Sequence, residues 1–250
     1  MSTVIAISNH KGGVGKTTSA VNIGAGLSGL GKKVLLIDLD PQANLSQSLG
    51  LEEQEPNIYG AIRGLYPLQP VEIGAGLDIV PSHLDLAGAE VELSSEPGRD
   101  HILRELLEPL RSGYDFIIID TPPSLGLLTL NALTAADKVF IPIEAEYLAI
   151  KGLAKLMDII KKIQGRLNKS LRVGGIIITQ YDSRIVLGRN VVQTIEGYFG
   201  GQVFNTKIRR NIALAEAPTQ GKDIFNYNSK SNGAEDYLAL SQEIIDRDNN

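Results

Sequence analysis

Ser8-Asn9-His10-Lys11-Gly12-Gly13-Val14-Gly15-Lys16-Thr17-Thr18 decides the reading of this 250-residue chain. An apolar run, Val4-Ile5-Ala6-Ile7, precedes it. Ala20-Val21-Asn22-Ile23-Gly24-Ala25-Gly26-Leu27 follows with helical spacing. Strand, glycine-rich loop and helix together form the setting of a phosphate-binding loop. Gly12, Gly13 and Gly15, with Val14 between them, let successive backbone N–H groups turn toward phosphate oxygens. Lys16 supplies a cation for the β- and γ-phosphates, the Thr17 hydroxyl is a Mg²⁺ ligand candidate, and Thr18 continues the helix start that favours an anion. The common pattern G-x-x-x-x-G-K-[ST] requires glycine where His10 stands, and a second lysine, Lys11, sits at the front of the loop. The expected ligand is a nucleoside triphosphate.

Working outward, Lys33-Val34-Leu35-Leu36-Ile37-Asp38 reads as a buried parallel strand that runs into a loop carrying Asp40 and Asn44. Tyr114-Asp115-Phe116-Ile117-Ile118-Ile119-Asp120, followed by Thr121-Pro122-Pro123, has the form of a Walker B strand, whose aspartate meets the Mg²⁺ shell through water. Further strands are expected at residues 77–80, 138–143, 174–179 and 202–204. Helices are expected near residues 58–64, 100–110, 148–163, 190–198 and 234–245. This alternation predicts an α/β fold with a mostly parallel central sheet and helices on both faces. Ligands in such sheets lie beyond the carboxyl ends of the strands, where residues 9–18, 38–44, 120–123 and 180–184 all fall.

No linker, like-charge block or tandem repeat divides the chain, so residues 1–250 are read as a single P-loop ATPase domain. The absence of cysteine excludes thiol chemistry and cysteine-ligated iron–sulfur clusters and suits the cytoplasm. His10, His83 and His101 have no metal-site spacing and are read as loop or surface residues. No apolar run is long enough to span a membrane. The net charge of −5 argues against a nucleic-acid binder, but residues 171–230 carry +4 and leave −9 for the remainder, so a local basic face is compatible with the composition.

The chain resembles the ParA-type ATPases (Soj branch) of the deviant Walker A family that also contains MinD. The resemblance rests on residues 9–18, 34–44, 86–93 and 115–129, on Arg210-Asn211-Ile212 and Leu214-Ala215-Glu216-Ala217-Pro218, and on Gly233-Ala234-Glu235-Asp236-Tyr237-Leu238. It implies a slow, Mg²⁺-dependent ATP hydrolase that forms an ATP-sandwich homodimer. Lys11 would reach phosphates held by the other subunit, and Asp40 would be the switch carboxylate that orients water and shares in the Mg²⁺ shell with Thr17 and Asp120. Asp38 is a further Mg²⁺-shell candidate or a plain structural carboxylate. Gln180, Asp182, Ile208, Arg209 and Arg210 are adenine-region candidates by position alone.

The resemblance also implies non-specific DNA binding through the basic C-terminal half, with Arg184, Arg189, Lys207, Arg209 and Lys230 as candidates. Relatives often read Pro-Arg-Asn-Val-Arg where this chain has Arg209-Arg210-Asn211-Ile212-Ala213, which redraws that face. The implied role is partitioning of plasmid or chromosomal DNA, or positioning of another cargo, on the nucleoid, with hydrolysis stimulated by a ParB-like or analogous adaptor. The alternative is a MinD-like membrane-cycling ATPase. The acidic stretch at residues 240–250 lacks the basic amphipathic character a membrane helix needs, so no membrane partner is expected. A small-molecule ligase sharing the fold would leave Lys11 and the C-terminal matches unexplained.

Overall fold

The structure is a computed structural model and describes residues 2–51, 54–146 and 149–249. Its strands are β1 (Thr3–Ile7), β2 (Val34–Asp38), β3 (Val71–Gly74), β4 (Leu77–Val80), β5 (Phe116–Asp120), β6 (Lys138–Glu144) and β7 (Arg172–Thr179), in the order β3-β4-β2-β5-β1-β6-β7. All neighbours are parallel except β3 and β4. The helices are α1 (Lys16–Gly29), α2 (Asn44–Ser48), α3 (Ile58–Ile62), α4 (Leu86–Glu92), α5 (Ile102–Leu107), α6 (Leu127–Ala135), α7 (Ala149–Arg166), α8 (Val186–Phe199), α9 (Ala213–Glu216), α10 (Ile224–Asn228) and α11 (Asn232–Asp248).

The sheet is buried on both faces, which is why its strands read as continuous apolar runs. Along β5, Ile117 and Ile119 enter one core with residues of α3 to α8, whereas Phe116 and Ile118 enter the other beside α1 and α11. Two glycines of α1 make its close packing feasible. A Cβ on Gly24 would come within 2.7 Å of Leu36 in β2, and one on Gly26 would collide with Ser241 of α11. Helix α1 is thereby wedged between sheet and α11, which fixes the phosphate loop that feeds it.

The expected fold is the observed one, with local differences. Residues 202–204 do not form a strand: Gly200–Gln202 is a 3-10 turn, and Val203 makes a single bridge to Ile176. The helix expected near residues 100–110 ends at Leu107 and tightens into a 3-10 turn at Glu108–Gly113, where Pro109 lacks the N–H that would continue the helix. Edge strand β3 and helix α6 had no recognised signal. Helix α8 starts four residues earlier than expected. The expected start of α7 at Leu148 lies outside the described residues.

Candidate nucleotide site

The loop between β1 and α1 takes its shape from two glycines. Gly13 and Gly15 have φ of 75° and 85°, the left-handed region that disfavours side chains. The back of the loop is fixed by the end of β7. The Thr179 hydroxyl donates to the Val14 carbonyl at 2.9 Å, and the Gln180 amide donates to the Gly13 carbonyl at 2.8 Å. Its front is fixed by β6, since the Asn9 side chain donates to the Pro142 carbonyl at 2.8 Å. Lys16 opens α1 and is buried, and burial lowers its pKa against the opposing pull of Asp120 and Asp40. Its ammonium lies 3.5 Å from the Lys11 carbonyl, inside the curl of the loop.

Three carboxylates meet this loop from neighbouring strand ends. Asp120, at the end of β5, accepts the Thr17 hydroxyl on Oδ2 at 2.6 Å, while its Oδ1 is buried with no partner. Burial, followed by the charge of Asp38, pushes the Asp120 pKa up. Asp38, at the end of β2, is satisfied by Ser46, whose N–H and hydroxyl donate to Oδ2 at 2.8 and 2.7 Å, and by the Asp40 N–H at 3.2 Å to Oδ1. Burial still pushes its pKa up to about 6. With those donors Asp38 ties β2 to α2. Asp40 is nearly buried, lines the cleft, and accepts the Gln42 N–H at 2.9 Å.

Among the described residues no three His, Cys, Asp or Glu side chains form a metal cluster. A nucleotide-bound Mg²⁺ does not need one, because phosphate and water supply most of its octahedral shell. The Thr17 hydroxyl and the orphaned Asp120 Oδ1 suit such an ion.

The loop opens into a cleft of ≈ 590 Å³. Beyond the end of β7, the Tyr181 N–H donates to the Ile208 carbonyl and the Arg210 N–H to the Tyr181 carbonyl. Gln180, Ile208, Arg209 and Arg210 line the cleft. Asp182 does not: it borders an adjoining hollow, where Arg184 grips it at 2.9 and 2.7 Å. Asn211, Ile212, Leu214, Ala215 and Tyr237 also line the cleft. Residues 211, 212, 214, 215 and 237 belong to the stretches that carry the family resemblance, and the apolar character of Ile208, Ile212, Leu214 and Tyr237 was the available sign of a cleft wall.

The basic candidates scatter. Arg184, with a side chain 88% exposed, and Arg189 lie at the start of α8, where Arg189 donates to the Ser183 carbonyl at 2.6 Å. Lys207 pairs with Glu196 at 3.0 Å, and Lys230 is exposed in the turn before α11. Arg209 turns to α11: its guanidinium reaches Asp236 and Glu235, each at 2.6 Å, with the side chain still 42% exposed. His10, expected in a loop or at the surface, is half-buried, with its ring against Gly152 of α7 and its Nδ1 buried without a partner.

Residues 2–173 match the family described as AAA domain. The chain is 47% identical to the chromosome partitioning protein ParA of Myxococcus xanthus, over 98% of this chain and 88% of that protein. It is 44% identical to the sporulation initiation inhibitor protein Soj of Bacillus subtilis, over 98% of both. Among solved structures, a cobyrinic acid a,c-diamide synthase from Mycobacterium smegmatis with bound ADP and magnesium superposes with a TM-score of 0.86 at 35% identity, covering 98% of this chain and 94% of that one. With a deviant phosphate loop, a Walker B aspartate and full-length similarity all in place, the chain belongs to the ParA/Soj family of partitioning ATPases.

Proposed function

We propose that the chain is a Mg²⁺-dependent ATPase that pairs with a second copy across bound ATP, binds DNA without sequence preference in that state, and partitions DNA or positions cargo. The observation that carries this reading is that Lys16, Thr17 and Asp40 line one cleft, with Asp120 accepting the Thr17 hydroxyl and a further lysine, Lys11, in the same loop. The glycine-loop N–H groups at residues 12–18 cradle the triphosphate and Lys16 neutralises it. Thr17 and Asp120 hold Mg²⁺, directly and through water respectively, and Asp40 orients the attacking water. Ile208, Arg210 and their neighbours receive the base.

In this reading Lys11 serves the partner chain's nucleotide, so a solitary chain has an incomplete phosphate shell and turns over slowly. A basic adaptor of the ParB type raises the rate. DNA meets the face around Arg184 and Arg189 in a nucleoid-associated, cytoplasmic protein. Among the described residues no helix is long and apolar enough to cross a membrane. The apolar side of α11 is already spent on the core through Tyr237, Leu240 and Ile244, which leaves the membrane-cycling alternative without an anchor there.

A second reading, synthesis of cobyrinic acid a,c-diamide, is favoured by the name of the 35%-identical neighbour. The two separate in one assay. The partitioning reading expects Mg²⁺-dependent ATP hydrolysis with random-sequence duplex DNA and no acid substrate present. ATP consumption that strictly requires cobyrinic acid would replace it.

A further inference from the structure

Two loops that border the nucleotide cleft are gripped by one segment behind them. The first carries Asp40, whose backbone carbonyl accepts the Ala43 N–H at 2.9 Å and the hydroxyl of buried Ser82 at 2.7 Å. The Ser82 N–H donates in turn to the Ser46 hydroxyl at 3.0 Å, the same hydroxyl that binds Asp38. The second loop runs from Asp120 to α6 and contributes Pro123 to the cleft. The Thr121 hydroxyl ties its start to the Ile7 carbonyl of β1 at 2.9 Å. Its far end is Gly126, which precedes α6 and has no side chain to cap it. Glu90 of α4 supplies the missing acceptor, its Oε1 taking the Leu128 N–H at 3.3 Å. A Cβ on Gly126 would overlap that carboxylate, so glycine is what lets the two approach.

Ser82 and Glu90 belong to one stiff stretch. The Leu86, Ala87 and Gly88 N–H groups donate to the carbonyls of His83, Leu84 and Asp85 at 3.0, 3.0 and 2.9 Å, so turns begin just after Ser82 and lead into α4. Leu86 and Ala89 are buried in the core, and Glu92 pairs with Arg63 of α3. A segment bonded and packed in this way transmits a displacement instead of absorbing it. We propose that the segment from Ser82 to Glu90 is a strut that sets the spacing of the Asp40 and Pro123 loops, and that Ser82 and Glu90 are positioning residues for ATP hydrolysis. The inference rests on the reading that Asp40 orients the attacking water and Asp120 shares in the Mg²⁺ shell. Ser82 acts only through the Asp40 backbone, and Glu90 only through the start of α6. A displacement of one loop passes along α4 to the other, so the two close on a triphosphate together.

The test uses the full chain as wild type, Ser82→Ala, Glu90→Ala, Glu90→Gln and Ser82→Ala/Glu90→Ala. Glu90 is half-buried, and Glu90→Gln keeps an acceptor oxygen for the Leu128 N–H, so that variant keeps the fold. Hydrogen exchange of nucleotide-free protein, read by mass spectrometry, should quicken about threefold or more at residues 121–129 in Ser82→Ala and at residues 39–46 in Glu90→Ala, each time in the loop attached to the other end of the strut. Steady-state hydrolysis with Mg²⁺ should show kcat lowered about three- to tenfold in either alanine variant, with KM for ATP within about twofold of wild type, and Glu90→Gln should recover most of the loss. The double variant should lose no more than the worse single one, because either substitution breaks the strut. Exchange that quickens only in each variant's own loop overturns the strut, as do losses of kcat that multiply in the double variant. Quickened exchange in the far loop with unchanged kcat overturns its role in hydrolysis. A wild type without Mg²⁺-dependent hydrolysis overturns the ATPase reading and that role with it, while the exchange result still decides whether the strut exists.

Discussion

Asp38 and Asp120 stand side by side in register at the ends of β2 and β5, and neither exposes any surface. Their circumstances differ. Asp38 has three donors, whereas Asp120 has the Thr17 hydroxyl on one oxygen and nothing on the other. Two adjacent buried carboxylates offset only by the charge of Lys16 are a liability in the nucleotide-free chain, and a divalent cation at Thr17 would turn that liability into binding energy.

The liability has a pH signature. Both carboxyls are harder to ionise in the folded chain than in the unfolded one, Asp38 with a pKa pushed up to about 6 and Asp120 also raised. The folded state thus holds protons that the unfolded state releases, and the associated stability is present below about pH 4 and lost as pH rises through about 6. The thermal midpoint of nucleotide-free protein should fall between pH 5 and pH 8, and Mg²⁺ with ATP should flatten the fall. A midpoint that rises steadily over that range would contradict the burial account.

Replacing Asp120 isolates its share. In Asp120→Asn the side-chain oxygen still accepts the Thr17 hydroxyl and the charge is gone. Nucleotide-free stability at pH 8 should increase by about 1–3 kcal/mol, as when a buried charge lacking a full partner is removed. Mg²⁺-dependent ATP turnover should be lost. Denaturant unfolding and a phosphate-release assay on the same sample check both halves.

Gly15 tests the loop. A Cβ there would meet Thr179 Cγ2 and Cβ at 3.7 and 3.9 Å, ordinary contact distances, so space is not the constraint; the φ of 85° is. Gly15→Ala should cost about 1 kcal/mol of stability if the loop keeps its shape. If the loop relaxes instead, its N–H groups turn away and ATP affinity should fall about tenfold or more. Calorimetric titration with ATP, beside a thermal melt, reads the two effects; unchanged values in both would show that this φ is not required.

Arg209 separates tethering from DNA contact. Its guanidinium and backbone N–H both bind Asp236, whose side chain is 10% exposed. Arg209→Ala should loosen α11 and cost about 1–2 kcal/mol, the range for removing charge-assisted hydrogen bonds from a largely buried partner. If the proposed DNA face lies around Arg184 and Arg189, the salt slope of DNA binding should stay put. A shallower slope with unchanged stability would return Arg209 to the DNA face.

Much of this was legible in the sequence, for identifiable reasons. Strands covered on both faces write themselves as runs such as Phe116-Ile117-Ile118-Ile119, and the glycine loop gave the site its address. Edge strand β3 was silent because only half of it is covered and its pairing with β4 is irregular after Glu72. Helix α6 was silent because it is buried almost all round and so lacks an apolar stripe. Whether Arg209 turns to α11 depends on a partner 27 residues away in the chain, which no local pattern encodes, whereas the pair of Asp182 with Arg184 spans only two residues. The ion pairs of Lys11 with Glu144 and Glu146, more than 130 residues on, are hidden for the same reason as that of Arg209.

The central claim is that ATP switches the chain onto DNA through the exposed face at the start of α8. The most direct measurement is equilibrium binding to random-sequence duplex DNA with ATP, ADP or a slowly hydrolysed ATP analogue, across a salt series, for wild type beside Arg184→Glu. Tight, salt-sensitive binding is predicted with ATP and the analogue only, weakened at least about tenfold by the charge reversal, which removes one phosphate contact and adds a repulsion. Binding that ignores the nucleotide, or no binding in any state while ATP is still hydrolysed, would contradict the claim.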